Sequence, residues 1–169
     1  MLAALPAAAG GWTDWRSRRI PNWLTLPGLL LGIAANSLAS GWMGVRDSLL
    51  GAGLGLALLL PFVLIGSLGA GDWKLVGALG AFFGPRQLMA VLLGTTLVAG
   101  VMAVILVVWK KRVRQTGRNL GRMLASFFSF HLPGPELSLD NPESLKVPFG
   151  VAVAVTVILY SARQAWGLF

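Results

Sequence analysis

The amino-acid sequence predicts an all-α, polytopic membrane helix bundle of about six membrane segments, the first of them short. Three observations lead there. Of 169 residues, 56% are hydrophobic and 12% are charged, whereas a water-soluble domain carries about a quarter charged residues. The apolar residues fall into long runs separated by short polar joints. Only six carboxylate side chains occur, and Asp14 and Asp72 stand at the borders of such runs. An ionisable group at the edge of a bilayer is costly, and it marks a functional site by default.

The segments follow in order. Residues 1–13 are apolar, but at about 1.5 Å per residue they reach only about 20 Å against a hydrocarbon core of roughly 30 Å, so they form either a partial span or the remnant of one whose start codon was placed too late. Residues 23–41 form the first full span, with Pro27 near its start. Residues 48–68 form the next. A short segment, 73–84, is ended by Gly84-Pro85. Residues 88–109 and 147–162 complete the set. Gly51, Gly53 and Gly55 on one span, and Gly77 and Gly80 on another, suit close helix contact. Between 109 and 131, Lys110, Arg114, Arg118 and Arg122 recur every four residues, with Val113, Leu120, Leu124, Phe127 and Phe128 on another face. That pattern reads either as a basic amphipathic helix on the inner leaflet or as a solvated extension of the preceding span. Residues 132–146 are polar and turn-rich, a cytoplasmic loop. The whole chain, 1–169, is expected to be one membrane-embedded domain with a cytoplasmic segment at about 110–146.

Charge sets the expected orientation. The net charge of +8 would suggest nucleic acid in a soluble protein. In a chain this apolar it marks cytoplasmic loops and contacts with anionic lipid, and no nucleic-acid partner is expected. With alternating spans, eleven of the fourteen Lys and Arg residues fall on the side of Asp14 and three, Arg46, Arg86 and Arg163, on the other. The positive-inside rule then places Asp14 and Asp72 together at the cytoplasmic face. Met1-Leu2-Ala3-Ala4-Leu5-Pro6 lacks the basic leading region of a signal peptide, so none is expected. With no cysteine and a single histidine, His131, a disulfide framework, a thiol nucleophile and a Cys-type zinc site are excluded.

Two carboxylates on one side of a membrane suit peptide hydrolysis. Like charges a few ångströms apart cannot both ionise easily, so the pair shares a proton. The ionised partner takes a proton from water and the protonated partner donates to the carbonyl oxygen. Gly69 and Gly71 flank Asp72 without side chains, so an extended substrate backbone has room to approach. Asp72 opens the 73–84 helix, whose dipole favours an anion. The plainer alternative is that each aspartate only caps a helix. Lys74 reads first as an interfacial anchor, and Arg16, Arg18 and Arg19 as determinants of topology.

Asp14-Trp15-Arg16-Ser17-Arg18-Arg19-Ile20-Pro21-Asn22 resembles the first block of the type IV prepilin peptidase family. Gly69-Ala70-Gly71-Asp72-Trp73-Lys74 resembles its second, the GxGD motif shared with presenilin-type intramembrane aspartic peptidases. Lys146-Val147-Pro148-Phe149-Gly150 is similar to the last block. The resemblance implies an endopeptidase that cleaves the basic leader of type IV pilins and pilin-like proteins at the cytoplasmic face of the bacterial inner membrane. It implies Asp14 and Asp72 as catalytic residues, with Gly69, Gly71, Lys74, Arg19, Pro21, Asn22, Pro148 and Gly150 in support, and no metal or organic cofactor. The absence of cysteines and of an additional N-terminal domain points to a peptidase-only form like those of Flp-type tight-adherence pili. The implied partners are a prepilin and membrane lipid, with Asp140, Glu143 or lipid drawing the basic leader. Two rival classes are a non-catalytic scaffold of a pilus or secretion system, and a small transporter using Asp72 as a proton relay. The second would need carboxylates at mid-span, and the spans offer none.

Overall fold

The computed structural model describes residues 2–17, 20–64, 66, 68–111, 116–117, 121 and 148–166. Four helices account for nearly all of them: α1 (Ala4–Ser17), α2 (Asn22–Leu64), α3 (Ala70–Trp109) and α4 (Phe149–Ala165). No strand occurs among the described residues. Most of the basic 109–131 stretch and all of 132–146, with Asp140 and Glu143, lie outside them. α3 stops at Trp109 and Lys111 takes φ 53, so the basic stretch does not continue α3 as an unbroken helix.

Both long helices are broken once, and the breaks make the bundle. α2 has 43 residues. Unbroken, it would be about 65 Å long, twice the thickness of a bilayer core. Gly41, at φ 58 and ψ −137, interrupts it. The chain folds back there, because a Cβ on Gly44 would collide with the carbonyl of Asn36. In α3 the break is Gly84, at φ 67 and ψ 175, followed by Pro85. These dihedrals are open to glycine and strained for other residues. Among the described residues the four helices thus give six segments: 4–17, 22–40, 42–64, 70–83, 85–109 and 149–165.

Small residues let the segments approach. A Cβ on Gly51 would collide with the carbonyl oxygen of Gly80, and one on Gly80 with that of Gly51. A Cβ on Gly32 would lie 3.0 Å from Ala81, and one on Gly77 would lie 2.7 Å from the end of Leu56. Segment 70–83 therefore runs parallel to 22–40 and antiparallel to 42–64. Gly53, expected in the same role, has nothing within 4 Å of a Cβ. Asn36 fastens the three segments: its Nδ2 donates to Ser48 Oγ at 2.9 Å, to the Ala81 carbonyl at 2.9 Å and to the Phe82 carbonyl at 3.1 Å. α4 packs antiparallel to α1, where a Cβ on Gly11 would lie 2.6 Å from Ala154, and against the second arm of α3 at Gly94 and Thr156.

Leu75, Val76, Leu79, Leu88, Val91, Val153 and Val157 form the core. The outer faces are just as apolar: Leu38, Leu64, Leu97 and Trp109 are exposed. α2 and α3 are each long and apolar enough to cross a membrane, and only 22% and 17% of their most apolar windows are buried. Helices in the core of a soluble protein would be covered. The helix directions gather one end of α1, α2, α3 and α4 together. There Asp14 meets Gly150, Ile20 meets Gly71, and Asn22 meets Lys74. Gly41 and Gly84 lie at the opposite end.

Candidate active site

Asp14 occupies the last turn of α1 and is 6% exposed. Glycines one turn earlier bring the helix in: Gly10 packs on Leu75 and Gly11 on α4. Asp14 therefore does not cap its own helix, as the plainer reading of the sequence had it. It binds the start of another. Pro148 is the N-cap of α4, in extended conformation at φ −71 and ψ 91. The first-turn N–H groups beyond it have no intrahelical partner. The N–H of Gly150 donates to Asp14 Oδ2 at 2.9 Å. Pro148 and Gly150, both buried, thus work at a distance: the proline starts the helix and the glycine leaves room, since a Cβ there would lie 2.9 Å from Asp14 Cβ and 3.0 Å from Oδ2.

Asp72 is likewise not an N-cap. α3 begins at Ala70 with Gly69 as its N-cap, at φ −69 and ψ 140, and no side chain caps it. The helix starts three residues earlier than the 73–84 expectation, which puts Asp72 inside the first turn. Asp72 Oδ1 is buried and accepts no hydrogen bond among the described residues. A buried carboxylate oxygen left without a partner is costly to folding. Asp14 and Asp72 line one cavity of about 350 Å³ with Ile20, Asn22, Gly69, Ala70, Gly71 and Lys74.

Gly71, expected to leave clearance for substrate, is instead packed against the protein itself. A Cβ on Gly71 would lie 3.1 Å from Ile20 Cβ and 3.2 Å from its backbone N and O. Gly71 lets the start of α3 pack against the joint between α1 and α2. A Cβ on Gly69 would lie 3.1 Å from Asp72 Oδ2, so this glycine spaces the carboxylate. Lys74 Nζ donates to Asn22 Oδ1 at 2.9 Å. Trp73 Nε1 donates to the Leu56 carbonyl at 2.7 Å, tying α3 to the second arm of α2. Pro21 is half-buried beside Ile20, and its carbonyl accepts the Leu24 N–H at 3.1 Å. Arg19 lies outside the described residues. Ile20 and Ala70 complete the cavity wall and were missed in the sequence. An apolar residue inside a basic joint, Arg19-Ile20-Pro21, was the available signal.

The model of the type IV leader peptidase family matches residues 1–104, which covers α1, α2 and most of α3. The chain belongs to that family. It is 35% identical over 119 residues to the prepilin leader peptidase/N-methyltransferase of Xanthomonas campestris pv. campestris, a match covering 66% of this chain and 41% of that protein. The protein of the same name from Myxococcus xanthus is 35% identical over 94 residues, covering 52% and 28%. That from Aeromonas hydrophila is 34% identical over 113 residues, covering 63% and 39%. The chain thus spans less than half the length of these curated relatives. No solved structure matches.

Proposed function

We propose that the protein is an aspartic endopeptidase of the GxGD type that cleaves the leader of type IV prepilins, those of the Flp type in particular. The observation that carries this reading is the meeting of Asp14 and Asp72, from separate helices, in one cavity. The family and the names of its relatives support the substrate class. Only the peptidase half of those names is carried over, since a carboxylate pair serves hydrolysis and not methyl transfer.

The chemistry follows from the surroundings of each carboxylate. Asp14 receives the Gly150 N–H at the positive end of α4, which favours an anion there. Asp14 takes a proton from water as the water oxygen bonds to the scissile carbonyl carbon. Asp72, carrying the shared proton, donates it to the carbonyl oxygen. As the tetrahedral intermediate collapses, that oxygen re-forms the carbonyl and its proton returns to Asp72. The proton held by Asp14 passes to the nitrogen as the C–N bond breaks. One acid and one amine are released, and the pair is restored.

The protein is placed in the bacterial inner membrane as a multi-pass bundle, with α2 and α3 each crossing twice and the cavity near the cytoplasmic face. Arg16, Lys74, Lys110 and Lys111 stand towards the aspartate end, and Arg46, Arg86 and Arg163 towards the other, as the positive-inside rule requires. The test is co-expression with a Flp-type prepilin and a conventional type IV prepilin in membranes. Leader removal from the first, faster than from the second, is the expected result. No processing of either contradicts the reading.

A further inference from the structure

Beside the aspartate cavity runs a second one, of about 330 Å³. Its floor is Thr25, Gly77 and Ala78, all buried, and its walls are Leu26, Leu29 and Leu56. The Thr25 hydroxyl is turned to its own backbone, donating to the Asn22 carbonyl at 3.4 Å, so the lining is apolar. Two residues, Asn22 and Lys74, belong to both cavities, and the Lys74–Asn22 hydrogen bond stands at the border between them. From that border the groove follows two parallel segments, 22–40 and 70–83, away from the aspartates. Leu29 lies seven positions beyond Asn22, so the groove is about 10 Å long. An extended peptide covers that length with about three residues.

We propose that this groove seats the apolar side chains that immediately follow the scissile bond of the substrate, and so sets which residue is accepted there. The inference rests on the leader-cleavage reading and goes beyond it by assigning a specificity site. On that reading the cleaved chain has a basic leader before the bond, to which the groove offers Lys74 and no carboxylate, and the remainder of the pilin after it. An apolar groove that adjoins the carboxylate cavity through Asn22 and Lys74 fits only the second half. Leu56 keeps its place because Gly77 has no side chain: a Cβ there would lie 2.7 Å from Leu56 Cδ2. The Lys74–Asn22 pair forms the polar collar through which the chain passes from water into the groove.

The test compares cleavage of two prepilins that differ only in the first residue after the bond, one leucine and one alanine. Leu26→Trp narrows the groove and lowers the leucine-to-alanine rate ratio at least tenfold. Leu56→Ala widens it and raises that ratio. Leu93→Trp, on an exposed face of α3, leaves the ratio unchanged. A second measurement does not depend on the rates. The chain has no cysteine, so Leu26→Cys in an Asp72→Asn background can be cross-linked to a prepilin bearing a single cysteine just after the bond. An adduct at position 26 and none with Leu93→Cys is expected. An unchanged ratio with no adduct, while Asp14→Asn and Asp72→Asn abolish cleavage, overturns the groove assignment and leaves the peptidase reading standing. That outcome would assign the groove to a lipid acyl chain. Normal cleavage by the aspartate variants overturns the peptidase reading, and this inference falls with it.

Discussion

The Asp14 carboxylate is held by the backbone of Gly150, 136 positions away in the chain: Oδ2 accepts the Gly150 N–H at 2.9 Å in a buried setting. The side chain that the proposed mechanism uses as its base is positioned here by a main-chain donor that a mutation cannot delete but can displace. Gly150→Ala puts a Cβ within 3.0 Å of the carboxylate oxygen and pushes it out of place. A misplacement near 1 Å costs about a hundredfold in rate. A processing assay in membranes should show a loss between roughly tenfold and a hundredfold, with the protein still accumulating. Normal processing would show that this contact does not position the site.

Gly71 gives a prediction about rescue. Its missing Cβ faces the backbone N and O of Ile20 as well as the side chain. Gly71→Ala should reduce processing, and adding Ile20→Gly, which removes the Cβ at 3.1 Å, should not restore it, because the backbone atoms at 3.2 Å remain. Full restoration in the double variant would mean that side-chain crowding alone is at fault.

The two hinge glycines should act on stability and not on chemistry. Gly41 has open space around it and Gly84 has only Asp47 nearby, at 3.7 Å, so a methyl group meets no clash. The cost of Gly41→Ala or Gly84→Ala is backbone strain alone, about 1–3 kcal/mol each. Thermal unfolding in detergent should move down for both, while the folded fraction keeps its specific activity.

Asn36 gives a measure of the interhelical glue. Its amide serves three acceptors on two other segments, whereas Ser48 takes part in only one of those bonds. Interhelical hydrogen bonds in membranes contribute about 0.6 kcal/mol on average and up to about 1.7. Asn36→Ala should therefore cost about 1–2 kcal/mol in an unfolding measurement, and Ser48→Ala clearly less. Equal losses would place the weight on the Asn36–Ser48 bond alone.

How much of this was legible in the sequence depends on distance along the chain. The apolar runs and the Gly84-Pro85 break follow from local composition, and segments 23–41 and 88–109 lie close to the observed arms. Gly41 carried no such signal, because glycine is common inside membrane helices and no proline follows it. The segment expected at 48–68 therefore began too late: the helix resumes directly after the Gly41 turn. Asp14 and Asp72 stood out as carboxylates in costly places, and both line the cavity. Their surroundings were not legible. The Gly150 donor, the Lys74–Asn22 bond and the packing of Gly71 on Ile20 all depend on segments that meet only in the folded bundle. That is also why Gly71 read as clearance for substrate when its space is filled by the protein itself.

The central claim is that Asp14 and Asp72 act as one catalytic pair. The most direct measurement is leader removal from a co-expressed prepilin in intact membranes by Asp14→Asn, by Asp72→Asn and by the double variant, with protein levels matched. Asparagine keeps the size of each side chain and removes its proton chemistry. The expected result is loss of processing by at least a thousandfold in each single variant, with no further loss in the double, because the residues act as a unit. Processing at the normal rate by either single variant would contradict it.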